Sequence, residues 1–271
     1  MKISEKKKGE EMSIIIPKRF QQAIDNHIVG NMLALNDYPL MLSIFGEPGI
    51  GKTFQLRKHL EDRNFTVHSI NAADLESDRA GEPTKLLRKE YVNASSEITD
   101  GKGAAIVIDD IDTTMGEWDK YTGTVNHQDL IAFFMHIADS PNAIENISNS
   151  LNRVPIFFTG NDFSKLYHPL RRPGRMNVFE YSPTKEEKCE ILCAIFGNRY
   201  VNDIQAFVDK KPKEPISYFS SIRANVEAEM YAQLVEKIDF RQLVSSEAYR
   251  ELIKSKFTRS IGDINWPEYF V

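Results

Sequence analysis

Eight residues leave this chain little choice of architecture. Gly46-Glu47-Pro48-Gly49-Ile50-Gly51-Lys52-Thr53 follows a short apolar run at 41–45 and opens a segment, 52–60, that reads as a helix. The glycines let backbone N–H groups curl around an anion, and the positive end of the following helix adds to the attraction. Such a loop is a phosphate cradle. Lys52 is placed to reach β- and γ-phosphates, and Thr53 to hold Mg²⁺ beside them.

The rest of the chain supplies the sheet such a loop sits on. Apolar or alternating runs at 66–70, 104–108, 154–158 and 176–181 read as further strands. The run at 104–108 is apolar throughout, which predicts burial on both faces. Helical spacing recurs at 17–35, where Phe20, Ile24, Ile28 and Met32 fall every four residues, and at 84–98 and 130–138. Strands alternating with helices predict an α/β fold with a five-stranded parallel sheet covered on both sides. After Gly197 only helices follow, at 201–208, 218–238 and 247–257. The expected organisation is a flexible N-terminus (1–13), an α/β nucleotide-binding core (14–197), and a small helical lid with a C-terminal helix (198–271).

Composition removes other classes. No apolar run reaches the roughly 18 residues of a membrane span, and the lysines near the start are not followed by an apolar segment fit for a signal peptide. A soluble cytoplasmic protein is expected. The net charge of −5 argues against a generally phosphate-binding surface and hence against nucleic acid as the main partner. Cys189 and Cys193, four apart in a helical pattern, lack a second pair to complete a metal site and read as buried thiols in a reducing compartment.

The strand ends carry the remaining chemistry. Asp109 and Asp110 close the run at 104–108, where Asp109 can bind Mg²⁺ through water and Asp110 can polarise an attacking water. Asp112 is a third acid nearby, with no evident role. Asn161, just after the run at 154–158, stands where ligands of such sheets bind and could orient water against a γ-phosphate. The turn at 170–175 presents Arg172 and Arg175 around a Pro-Gly pair, which suits an arginine finger reaching a phosphate in a neighbouring subunit.

These elements, in this order, resemble those of AAA+ ATPases. Segments 75–83, 125–128, 137–142, 153–170, 174–176, 182–187 and 221–224 resemble the Rubisco activases more closely, over roughly 14–230. The resemblance implies an AAA+ P-loop core with a helical lid, using ATP and Mg²⁺. It implies a ring, a hexamer in that family, whose central pore engages and pulls on a protein client. Asn161 then corresponds to sensor 1, Arg223 to sensor 2, and Arg172 and Arg175 to the two trans-acting arginines. Asp78 and Arg79 occupy the first pore loop without an aromatic, as in the activases, while Trp118 and Tyr121 occupy the second, Tyr121 matching a pore tyrosine. The chain departs from the family in several places. No counterpart of the activases' N-terminal client-binding domain precedes 17, Asp109 stands where they carry Asn, and Asn225 replaces a lid arginine. A glycine-rich run is replaced at 111–116, and no match continues past about Tyr231. The client is therefore open between Rubisco and another assembly, such as a bacterial or phage complex. A nucleic-acid-loading ATPase is the competing class, opposed by the acidic charge. A non-hydrolysing switch is disfavoured by the intact set of Lys52, Asp109, Asp110 and Arg172.

Overall fold

The computed structural model describes residues 14–35, 38–75, 81–114, 125–144 and 150–270. In chain order the first part contains α1 (Lys18–Met32), β1 (Met41–Phe45), α2 (Lys52–Asp62), β2 (Phe65–Asn71), α3 (Glu82–Thr99) and β3 (Gly103–Asp109). The short α4 (Ile111–Thr114), then α5 (Val125–Asp139), β4 (Ile156–Gly160) and β5 (Met176–Glu180) complete it. The five strands form one sheet in the order β2-β3-β4-β1-β5, and every pairing is parallel.

The central strands are largely apolar, with Ser43, Asp109 and Thr159 the buried polar exceptions, because each is covered on both sides. A strand points successive side chains to opposite faces. Met41 and Phe45 of β1, Ala104, Ile106 and Ile108 of β3, and Ile156 and Phe158 of β4 join one core, with Leu87 and Tyr91 of α3 and Phe134 of α5. Leu42, Ile44, Ala105, Val107 and Phe157 join the other, with Phe20 and Ile24 of α1 and Leu56 and Leu60 of α2. This is the two-sided burial expected of a parallel sheet.

Register brings the functional ends together. Phe45 pairs with Gly160, and Ile108 with Phe158, so β1, β3 and β4 release their loops side by side. The fourth strand begins two residues later than its apolar run suggests. Pro155 has no N–H to give a ladder, although its carbonyl accepts from Ile106 at 3.1 Å.

The chain divides into two compact units between Ser182 and Pro183, not at Gly197. The physical reason is α6 (Lys185–Phe196). A reciprocal cap between Thr184 and Glu187 starts this helix, and Cys189, Leu192, Cys193 and Phe196 bury into the helical cluster. The second unit continues with α7 (Val201–Lys210), α8 (Ile216–Val235), α9 (Phe240–Ser245) and α10 (Glu247–Gly262). Ile204, Phe207, Phe219, Trp266 and Phe270 fill its core. Both thiols are buried and free, and burial raises the pKa of each, so neither is a ready nucleophile. Among the described residues no group of three or more His, Cys, Asp or Glu could hold a metal ion, and no helix is long and apolar enough to cross a membrane.

One buried titratable group links α1 to the sheet. His27 is 1% exposed and packs edge-on against Phe157, with ring centroids 5.0 Å apart. Asn31, on the next turn, donates to the carbonyls of His27 and Pro39 at 3.0 and 3.2 Å and accepts from Arg153 Nη2 at 3.1 Å. Burial lowers the His27 pKa from 6.5 to about 3, with the Arg153 charge acting in the same direction. Between those values the unfolded chain binds a proton there that the folded chain refuses. Stability should therefore rise with pH through that window, by up to ~1.4 kcal/mol per pH unit. Urea unfolding between pH 4 and 7 should show this slope, and His27→Gln should flatten it; an unchanged slope would assign acid sensitivity elsewhere.

Candidate active site

The loop from β1 into α2 is shaped by what glycine permits. A Cβ on Gly46 would lie 2.0 Å from the backbone oxygen of Tyr181, so no other residue fits that approach. Gly51 holds φ at +84° immediately before α2. Gln55, buried on the first turn of the helix, donates to the carbonyls of Ile50 and Gly51 at 3.1 and 3.2 Å and fixes the loop from beneath. Tyr181 donates to Gln55 Oε1 at 3.4 Å.

Lys52 ties this loop to the end of β4. Its Nζ donates to the carbonyls of Gly46 and Glu47 at 2.7 and 2.9 Å and to Asn161 Oδ1 at 3.1 Å. Burial lowers the Lys52 pKa, while the charges of Asp110 and Asp112 oppose that shift and favour the ammonium. The arrangement holds a desolvated cation at the mouth of a glycine loop, where it can meet a phosphate.

A chain of hydroxyls crosses the strand ends. Thr53 Oγ1 and Thr159 Oγ1 lie 3.1 Å apart, and Thr159 donates to Asp109 Oδ1 at 3.1 Å. A hydroxyl has one proton. Because Thr159 spends its proton on the carboxylate, Thr53 must be the donor between the two threonines. Thr159 also accepts from the Asp110 N–H at 3.4 Å. The second oxygen of Asp109 pairs with Arg57 on α2. Thr53 and Asp109 thus offer oxygen donors only, and both Asp109 oxygens are already engaged. That donor set fits Mg²⁺, a hard cation that keeps several of its waters, contacted by Asp109 through water.

Asp110 is exposed and has a φ of +51°, in the left-handed region. That backbone costs roughly 1–2 kcal/mol in a non-glycine residue, with Asp among the side chains that tolerate it. Strain at the last residue before α4 marks a position whose direction matters more than its stability.

The two arginines of the turn are not alike. Arg172 is exposed and has no side-chain partner among the described residues. Arg175 makes a bidentate pair with Asp139, the last residue of α5, with Nε and Nη2 at 2.9 and 2.7 Å from its carboxylate oxygens, and donates to the Pro169 carbonyl at 3.2 Å. Arg223 belongs to the helical unit, where it donates to Glu227 at 2.6 Å and to the Ile195 carbonyl and lies over Trp266. Asp78, Arg79, Trp118 and Tyr121 lie outside the described residues.

Lys52, Thr53, Asp109, Asp110 and Asn161 therefore meet at one sheet edge. Gln55, Arg57, Thr159 and Asp139 went unread in the sequence. Three of them are polar residues inside otherwise helical or apolar patterns; Thr159, at a central strand's end, was the most findable.

The family model described as "ATPase family associated with various cellular activities (AAA)" matches residues 42–184. A ribulose bisphosphate carboxylase/oxygenase activase from Nostoc sp. is 36% identical over 242 residues, covering 86% of this chain and 58% of that protein. The chloroplastic activase of Cucumis sativus is 38% identical over 221 residues, covering 78% and 53%. That of Arabidopsis thaliana is 36% identical over 238 residues, covering 84% and 50%. The chain spans little more than half the length of these curated relatives.

The difference between the arginines is measurable. The Arg175–Asp139 pair is partly exposed, so it should contribute no more than about 1 kcal/mol. Arg175→Ala and Asp139→Ala should lower the thermal midpoint by similar small amounts, and the double variant by no more than either. Arg172→Ala should leave the midpoint where it was. Calorimetry on the four proteins decides it, and additive losses would dissolve the pair.

Proposed function

Because the chain belongs to the AAA family of ATPases, we propose that it hydrolyses ATP with Mg²⁺ and couples turnover, as a ring, to remodelling a protein client. The observation that supports this best is the convergence of Lys52, Thr53, Asp109, Asp110 and Asn161 at the ends of β1, β3 and β4. The loop at 46–51 receives the phosphates on its backbone, and Lys52 sets its charge against the β- and γ-phosphates. Thr53 and Asp109 would hold Mg²⁺, which when bound would neutralise charge on the phosphate oxygens. Asp110 orients the attacking water and takes its proton. Asn161 Oδ1 accepts from Lys52, which leaves its amide N–H groups to donate to the γ-phosphate or the water.

We assign the trans-acting role to Arg172, reaching the phosphates bound by a neighbouring copy in a hexamer. Arg175 could do the same only by giving up Asp139. Arg223 is assigned to nucleotide sensing, and Asp78, Arg79, Trp118 and Tyr121 to contact with the client. The relatives' names make ribulose bisphosphate carboxylase/oxygenase the first client to test.

Asp110→Asn should bind ATP and not turn it over, because an amide cannot take the proton. Lys52→Ala should lose nucleotide binding. Arg172→Ala should bind ATP and hydrolyse it ~10³-fold or more slowly. Mixing the Lys52 and Arg172 variants should restore some activity, since each brings the half the other lacks. Full-rate hydrolysis by dilute monomers would refute the ring. For the client, ATP should raise the activity of an inhibited ribulose bisphosphate carboxylase/oxygenase in the presence of the parent protein. Tyr121→Ala should keep the ATPase and lose that effect. Absence of the effect with an active parent ATPase would point to another client.

A further inference from the structure

Asp112 is the acid to which the sequence assigned nothing, and it is one of the least exposed charged groups in the fold, at 5%. It lies in α4, two residues beyond the strained Asp110. Its Oδ2 accepts the backbone N–H groups of both Asn161 and Asp162, each at 3.0 Å. Its Oδ1 is buried without a hydrogen-bond partner. The space beside it is closed by Gly160, where a Cβ would come within 2.8 Å of Oδ1 and 2.5 Å of the Phe45 ring.

A buried carboxylate with one oxygen unsatisfied is costly, so something must hold it there. The two N–H donors, together with the Lys52 charge that Asp112 influences, offset that cost. What they fix is the turn after β4. The same turn carries the Asn161 side chain to Lys52 at 3.1 Å, and Asp162 caps its next step by accepting from the Ser164 N–H at 2.9 Å. Asn161 itself is exposed.

We infer that Asp112 is a positioning residue for Asn161: by gripping the backbone of 161–162 from the exit of β3, it places the Asn161 amide where a γ-phosphate would lie. This rests on the proposed reading of Asn161 as a donor to the γ-phosphate, a group that ATP carries and ADP lacks. The device is geometric. It needs an oxygen that accepts two N–H groups, not a negative charge, and one amide oxygen supplies the same two acceptor sites.

The test reads nucleotide affinity in the full chain, with and without turnover. Fluorescent ATP and ADP analogues are titrated in the Asp110→Asn background to give the ratio of their affinities. Asn161→Ala should reduce that ratio about tenfold, the effect of one hydrogen bond to a charged group. Asp112→Ala should reduce it to a similar extent. The double variant should lose no more than either alone, because both act through one amide. Asp112→Asn should restore the ratio to near the parent value, since its oxygen still accepts from both N–H groups. If Asp112→Ala does not fold, Asp112→Ser replaces it. A folded Asp112→Ala or Asp112→Ser variant that keeps the parent ratio would overturn the inference. So would additive losses, or an Asp112→Asn variant as impaired as the alanine, which would make charge the cause. If the parent binds neither nucleotide, or Asn161→Ala leaves the ratio intact, the reading of the site or of Asn161 fails first, and the two failures are told apart.

Discussion

The hydrogen bond from Thr159 to Asp109 is the contact on which the strand-end chemistry turns. It is short enough to be made only if β3 and β4 are neighbours in parallel register, which the pairing of Ile108 with Phe158 ensures. It also directs the other protons. With its own proton committed to Asp109, Thr159 can only accept from Thr53 and from the Asp110 N–H. One buried hydroxyl thereby orients Thr53 of α2, the Asp109 carboxylate and the backbone of Asp110. Removing it leaves three polar groups at a sheet edge with no common reference.

The same economy appears one layer out. Lys52, Asn161 and Asp112 form a second connection between loops, from the Gly46 and Glu47 carbonyls through an ammonium and an amide to a turn gripped by a buried carboxylate. Both connections cross between strands that are far apart in sequence and adjacent in the sheet. The buried Thr159–Asp109 bond takes its strength from exclusion of water. At the end of a parallel sheet packed on both faces, each such bond is worth more than on the surface, and each unmade one costs more.

Much of this was legible in the residues. The glycine loop, the apolar strand at 104–108 with its acids, and Asn161 announced a phosphate site, because short motifs with strict steric demands leave a local signature. The strands were placed to within a residue or two, since two-sided burial writes itself as continuous apolarity. The break expected at Gly197 lies one helix beyond the division at Ser182–Pro183, because periodicity shows where a helix lies and not which core it joins; Leu192 and Phe196 tie α6 to the helical core. Thr159, Arg57 and Asp112 could not be assigned roles for a related reason. Their partners are fixed by register between strands, and no pattern along the chain encodes a contact from 112 to 161.

Charge explains why such a site would work as half of a larger one. Lys52 and Arg57 face Asp109, Asp110 and Asp112, which leaves one negative charge in excess at the strand ends. Arg57 is also spent, since it neutralises the acid that would face the metal. Lys52 alone then meets an incoming triphosphate, helped by the loop's N–H groups and the end of α2. Side-chain charge from one chain does not neutralise a polyanion there, so the loop's N–H groups and a divalent cation would share in holding it. In the proposed reading a divalent cation meets part of that deficit and a guanidinium from a second copy adds to it as charge develops during hydrolysis; Arg172, exposed on its turn and without a side-chain partner among the described residues, is a group of that kind. A second copy that brings Arg172 to this site would complete its charge balance only when nucleotide and metal are bound. Ring assembly and nucleotide occupancy would then favour one another by a single electrostatic cause.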